Sequence, residues 1–354
     1  MKPLQQAIFW FAAIIGLIGL VWLFKSVLLP FVLGGAIAYL LNPIVNKLVR
    51  KGVSRQWVVL GILGAFFLVV GILLAIIAPI LVREAAGFIE SIPEYGQKIW
   101  AIAEPQIIWA QEKLGYTITQ DQLQSAVQDN IGKALQVGKG VLGGITSGGI
   151  AIVDFFTTML LTPVAAYFLM KEWPKVTSFV QELLPRNHAK EINRLASAID
   201  QKISGFVRGQ ITVCMMLGLA YAIALTFAGL KYGFFIGLGT GILSIIPFVG
   251  STVGLVTSLV VAFLQSSGDW MFVGIIAVIF FIGQFVEGNF ITPKLMGDSV
   301  GLHPLWIIFA LMAGGALLGI LGMFLAIPVA ASVGVLAGFL IERYKASPYY
   351  RHDA

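Results

Sequence analysis

Residues 232–268 and 304–341 contain no Asp, Glu, Lys or Arg, and residues 3–24 and 56–81 are uncharged as well. No other feature limits the possible folds as strongly. About 20 consecutive apolar residues cross the ~30 Å hydrocarbon core of a bilayer as a helix. A helix also satisfies its own backbone N–H and C=O groups, which lipid cannot do. Composition agrees: 58% of the 354 residues are hydrophobic and only 11% are charged, with a mean hydropathy of +0.92. Soluble domains run near 45–50% apolar and about 25% charged, so the bilayer is the expected solvent and first partner.

Reading the uncharged stretches as spans gives about eight membrane elements, at residues 5–24, 27–46, 56–81, 147–170, 209–229, 233–264, 270–290 and 304–340. The expected fold class is all-α, a polytopic transmembrane helical bundle. Residues 233–264 and 304–340 are too long for one straight crossing and contain proline and several glycines, so both should be interrupted or re-entrant. Residues 3–24 run on into a second apolar segment with no clear small-residue cleavage site, which reads as a retained span. The chain then divides into an N-terminal hairpin with the third span (1–82), an outer amphipathic segment (83–140), a fourth span (141–170), a cytoplasmic helical segment (171–208), a C-terminal transmembrane core with the broken elements (209–341) and a cytoplasmic tail (342–354).

Lys and Arg beside the spans set the expected orientation. Lys47, Arg50, Lys51 and Arg55 follow the second span with no acid among them, which places that loop inside. Alternation then puts residues 171–208, with seven basic and four acidic residues, inside too, along with both termini. Residues 83–140 carry five basic and seven acidic residues and fall outside. Trp10, Trp22, Trp57, Trp173, Trp270 and Trp306 lie near predicted span ends, where indole rings favour the headgroup level. In the outer segment Phe88, Ile89, Ile92, Ile99 and Trp100 alternate with Glu90 and Glu94 and are punctuated by Pro93 and Pro105. This pattern fits short amphipathic helices on the membrane or a neighbouring subunit, and fits equally a solvated segment packed on itself. A helix from about 187 to 204 should cover the cytoplasmic span ends.

Several chemistries are excluded by pattern. The net charge of +6 is not gathered into a dense basic arm, so it reads as loop charge and not as a nucleic-acid footprint. Lys133 and Lys139 follow glycines but precede neither Ser nor Thr, so there is no Walker A loop. His188, His303 and His352 are scattered, and Cys214 is the single cysteine, which leaves no zinc pattern and no intramolecular disulfide. Ser147 lacks the spacing of a nucleophile elbow. No catalytic residue, metal site or cofactor is expected.

What remains is backbone irregularity and a few polar groups at membrane depth. Gly241 precedes Pro247 by six residues and Gly322 precedes Pro328 by six, with Gly254 and Gly334 beyond, a weak internal repeat. Gly241, Pro247, Gly250, Gly322 and Pro328 are therefore candidate broken-helix hinges that could turn carbonyls or half-helix ends toward a pathway. The glycine pairs 237/241, 250/254 and 315/319 equally fit close helix packing. Asp154 and Glu287 are ionisable groups within or ending uncharged runs, where such groups usually face a bundle interior or an aqueous cavity. An interfacial position explains Asp154 equally, and an interfacial pair explains Glu287 with Lys294.

The C-terminal run EGNFITPKLMGDSVGLHP (287–304), followed by Gly314, Gly315, Gly319, Gly322 and AIP (326–328), resembles the AI-2E family of bacterial transporters. So do RGQ (208–210), IPFVG (246–250) and AYLLNP (38–43). The likeness extends over nearly the whole chain except residues 83–140. It implies an inner-membrane efflux transporter for a small polar solute such as autoinducer-2. Other members are linked to sodium or lithium exchange for protons, which makes an antiporter the nearest alternative. A membrane scaffold is the alternative from another class. Matching positions make Arg208, Gln210, Gln284, Glu287 and Asn289, with Asp154, candidate polar pathway residues. Small-residue faces further suggest a homo-oligomer.

Overall fold

The computed structural model describes residues 19, 23–24, 28–114, 132, 136, 150–266, 269–296, 301–347 and 350. They form α1 (Leu28–Val49), α2 (Arg55–Leu114), α3 (Ile150–Leu183), α4 (Ala189–Phe227), α5 (Gly233–Leu243), α6 (Val249–Gln265), α7 (Trp270–Val286), a π-helical turn (Glu287–Ile291), α8 (Thr292–Met296) and α9 (Pro304–Ala346). No strand occurs among the described residues. Leu28–Val49, Arg55–Trp109, Ala189–Phe227, Trp270–Leu295 and Pro304–Ala346 are long and apolar enough to cross a membrane. The chain is thus an all-α, multi-pass membrane protein. The expected first span, 5–24, and most of residues 115–149 lie outside the described residues.

The helices pack as two compact units, residues 1–67, 156–212 and 292–354 in one and residues 68–155 and 213–291 in the other. In the first unit α1 and α3 meet at Gly34, where a β-carbon would come 2.8 Å from Ala165 Cβ and 2.9 Å from Ala166 N. Leu41 and Val45 of α1, Val58, Val59 and Leu63 of α2, and Ala166 and Met170 of α3 form the core beside that contact. The chain turns from α1 into α2 through Gly52, whose φ of 94° favours glycine. Arg55 then reaches back from the head of α2. Its Nε donates to the Met170 carbonyl (2.7 Å), and its two terminal nitrogens donate to Asn46 Oδ1 (2.9 Å) and Asn42 Oδ1 (3.1 Å). The Met170 carbonyl is available because Pro174, four residues on, has no N–H to give it. One guanidinium therefore ties three helices at a point where the ladder of α3 is broken. Farther along, Tyr39 donates to Asp200 (3.0 Å), and Arg194 with Glu342 and Arg343 with Glu191 pair the start of α4 with the end of α9.

α9 is not one straight rod. Gly319 has φ 63° and ψ −139°, outside the helical region. A β-carbon on Gly314 would lie 2.8 Å from the carbonyl carbon of Gly322, and one on Gly334 would touch Leu302 at 3.2 Å. Residues 314 and 322 would sit about 12 Å apart on a straight helix. The contacts pair 314 with 322 and 302 with 334, so the chain reverses at Gly319 into a helical hairpin. Its first arm, residues 304–318, is about 22 Å long, short of a ~30 Å crossing. The interruption expected in 304–340 is present, with its pivot at Gly319, while Pro328 lies buried inside the returning arm.

The second unit is built on glycine contacts. α4 folds back on α5 at Gly229 (φ 83°). A β-carbon on Gly233 would strike the Leu225 backbone at 2.8 Å, and one on Gly241 would lie 2.6 Å from Gly218 N and 2.7 Å from Cys214 O. Between them, Gly237 presses on the Ala222 and Tyr221 backbone. Glycines four residues apart thus give α5 one backbone-only face. α5 turns into α6 around Pro247, with Phe248 in the left-handed region (φ 69°), and Gly250 and Gly254 seat α6 on Ser244 and Thr240. With 11 and 17 residues, α5 and α6 are about 16 and 25 Å long. The interruption expected in 233–264 is therefore a tight hairpin. The proline sits at the turn here and within an arm in α9, so the Gly-x5-Pro repeat of the sequence is not a repeat of structure.

Of the two readings the sequence left open for this segment, the one with short helices broken at Pro93 and Pro105 does not hold, because α2 continues through both prolines. Glu84, Gly87, Phe88, Ser91, Tyr95 and Lys98 share one face of it and are held by the chain itself. Glu84 Oε2 accepts from Phe235 N (2.8 Å) in the first turn of α5, where Tyr232 provides no side-chain cap. Tyr232 Oη donates to Gly87 O (2.8 Å) and lies 2.8 Å from Ser91 Oγ, and Lys98 donates to Leu264 O (3.4 Å). A proline removes one ladder bond, and a face packed this fully bridges the gap. Likewise the helix expected at 187–204 is the first half of α4 and runs into the span without a break.

Two outcomes follow for stability in detergent, read by thermal unfolding. Arg55→Ala should cost about 2–4 kcal/mol. In a Pro174→Ala background, where Met170 O regains a helical donor, that cost should fall by about 1 kcal/mol in a double-mutant cycle. Gly237→Ala should destabilise by on the order of 3 kcal/mol or more. Gly239→Ala, with open space before its α-carbon, should stay within about 1 kcal/mol of the parent.

Candidate functional site

α7 starts cleanly because Asp269 caps it, accepting from Met271 N at 2.9 Å. It lies against α6, and between the two runs an open groove of about 480 Å³. Leu255, Leu259, Ala277, Val278, Phe280 and Phe281 make its apolar walls, and Ser251, Thr252 and Gln284 its polar positions. Ser251 and Thr252 stand in the first turn of α6, just after the Pro247 turn, so the helix reversal brings these hydroxyls to the groove.

Gln284 is the hinge between groove and carboxylate. Its Nε2 donates to Glu287 Oε2 at 2.8 Å, and Glu287 begins the π-helical turn. That turn has a local cause. Asn289 Nδ2 donates to the Phe285 carbonyl (2.8 Å), the acceptor that the Asn289 backbone N–H would use in an α-helix, and Pro293 can donate to none. The ladder shifts by one residue, an irregularity frequent at functional sites. Behind the groove, the Tyr221 ring stacks on Phe280 (centroids 4.5 Å apart, planes at 19°). Tyr221 is 2% exposed. It packs on Gly283, one turn from Glu287.

Of the predicted site residues, the structure brings Gln284 and Glu287 into direct contact and puts Asn289 two residues on, bonded to its own helix. Arg208 and Gln210 belong to the other compact unit. There Arg208 donates to the Ser204 carbonyl and hydroxyl, both at 2.9 Å, and Gln210 is buried. Asp154 lies in α3 with its side chain outside the described residues. Among the hinge candidates, Pro247 and Gly250 form the α5–α6 turn and its first contact, Gly241 packs on Gly218, Gly322 packs on Gly314, and Pro328 is buried in α9. Sequence reading missed Tyr221, Ser251 and Thr252. Tyr221 carried a signal, since it lies 11 residues after Gln210 on the same long apolar helix, but nothing marked it apart from other aromatic residues there.

Chemically the arrangement offers hydroxyls, one amide and one carboxylate along an apolar trough, a surface that can hydrogen-bond a small polar solute or exchange a proton or cation. No group of three or more His, Cys, Asp and Glu residues that could hold a metal ion occurs among the described residues.

Comparison with known proteins places these features. The chain is 28% identical over 320 residues to "Putative transport protein YrrI" of Bacillus subtilis, covering 89% of this chain and 87% of that protein. It is 25% identical over 318 residues to "Putative permease PerM" of Escherichia coli K12, covering 89% and 88%. A third relative, "Putative transport protein sll0063" of Synechocystis, is 26% identical over 320 residues and covers 88% of this chain and 77% of itself. The profile of the AI-2E family transporter matches residues 11–341, a range that holds both hairpins, the groove and the π-turn, and the chain belongs to that family of membrane transporters.

Proposed function

We propose that this transporter exports a small hydrophilic solute, of the kind exemplified by autoinducer-2, across the bacterial inner membrane, and that the α6–α7 groove with the Gln284–Glu287 pair forms part of the route. The observation that carries the reading is the position of that pair: a hydrogen-bonded amide and carboxylate at a π-turn, at the end of an apolar helix and beside Ser251 and Thr252. Ionisable groups at membrane depth are costly and are kept where they serve a pathway. The short hairpin around Pro247 supports the same reading, because broken elements let half-helix ends and side chains approach a solute. Both termini lie in the cytoplasm by the Lys and Arg distribution.

Purified protein in liposomes should release a loaded solute from a panel of small polyhydroxylated compounds. Glu287→Gln and Gln284→Ala should each lower the initial rate by roughly tenfold, as expected for loss of a charge-assisted hydrogen bond at the route. Unchanged rates in both variants would remove the groove from the pathway.

A second reading, exchange of sodium or lithium for protons, is favoured by the carboxylate of Glu287 alone. In a pH-gradient dye assay an antiporter should respond to added sodium or lithium and lose that response completely in Glu287→Gln. A passive exporter should show no cation response in either protein.

A further inference from the structure

A second groove, in the other compact unit, has no part in the route above. It runs between α2 and α3, has a volume of about 370 Å³, and is lined by Leu60, Leu63, Gly64, Phe67, Pro163 and Tyr167 among others. Its walls offer hydrocarbon and aromatic surface and no charge. Its mouth differs: Lys171 Nζ lies 5.4 Å from the centroid of the Tyr167 ring, and Lys175 follows one turn on. The mouth is level with the head of α2, since Arg55 bonds the carbonyl of Met170. Trp57 and Trp173, 69% and 42% exposed, mark the headgroup depth on both helices. Glu172 pairs with Lys175 at 2.8 Å and with Lys171 at 3.7 Å. The hydrogen bond from Lys175 holds its carboxyl below the usual carboxylate range. Two lysines against one ionised glutamate leave the mouth positive. An apolar trough inside the bilayer, opening onto net positive charge at the headgroup level, has the polarity of an anionic phospholipid read from its tail to its phosphate.

We propose that this groove is a specific lipid site that takes one acyl chain of an anionic phospholipid along α2 and α3 and holds the headgroup phosphate at Lys171. Gly64 lines the groove and faces open space, which leaves room for the acyl chain there.

Delipidated full-length protein in a neutral detergent provides the test, by melting temperature against added phosphatidylglycerol, phosphatidylcholine or inorganic phosphate. Phosphatidylglycerol should raise the melting temperature saturably, by roughly 3–6 °C, and phosphatidylcholine by clearly less. Lys171→Gln should erase that difference, while Lys190→Gln keeps it. Gly64→Leu should fill the groove without strain and abolish the saturable shift for both lipids, and Val164→Phe, on the α3 wall of the groove, should do the same should the first variant fold poorly. Equal shifts from the two lipids with the parent protein would overturn the proposal. So would a full phosphatidylglycerol shift in a correctly folded groove-filled variant, or a shift reproduced by inorganic phosphate.

Discussion

Helices that touch through backbone alone underlie the second unit. In water, apolar side chains drive helices together; in lipid that drive is absent, and association relies on close packing and on polar groups that find each other. Gly233, Gly237 and Gly241 remove every side chain from one face of α5, so its backbone lies directly on α4. An 11-residue helix has little stability of its own, and this contact holds it in place. α6 is seated in turn on Thr240 and Ser244 through Gly250 and Gly254, and α7 lies on α6. The groove between α6 and α7 is therefore shaped by contacts two helices away, and its polar residues inherit their positions from glycines that never touch a solute.

The first unit solves a different problem, the carbonyls that prolines leave without donors. A buried carbonyl left so costs about 1–3 kcal/mol unless a partner is found. Pro174 frees the Met170 carbonyl near the end of the apolar part of α3, and the Arg55 guanidinium takes it while bonding two asparagines of α1. The irregularity of one helix becomes the attachment point for two others. A lysine could not reproduce this, because its ammonium lacks the planar fork that reaches three acceptors at once.

The class of fold was legible because uncharged runs of span length have few physical explanations. The interruptions in 233–264 and 304–340 were legible for the same reason, from excess length together with Gly and Pro. The pivot of the second was not, because proline removes one hydrogen bond and can ride inside a packed helix, as Pro328 does, whereas Gly319 adopts a backbone conformation that other residues rarely enter. The Gln284–Glu287 contact follows from a three-residue spacing on a helix and could be anticipated. The polar face of α2 from Glu84 to Lys98 could not, since its partners lie up to 166 positions away in the chain, and a stripe of mixed polarity looks the same whether it meets water, lipid or protein. Arg208 and Gln210 matched family positions, yet sequence likeness carries no information on which compact unit a residue joins.

The Glu84 carboxylate that caps α5 also bears on how the protein is made. Synthesis proceeds from the N-terminus, so α2 has been made before residues 233–265 leave the ribosome. The short hairpin of α5 and α6 then finds an acceptor for the Phe235 N–H, together with the Gly87 carbonyl that receives the Tyr232 hydroxyl. An element too brief to hold itself across a bilayer is received by a surface synthesised well before it, and the order of synthesis matches the order in which its polar ends must be satisfied.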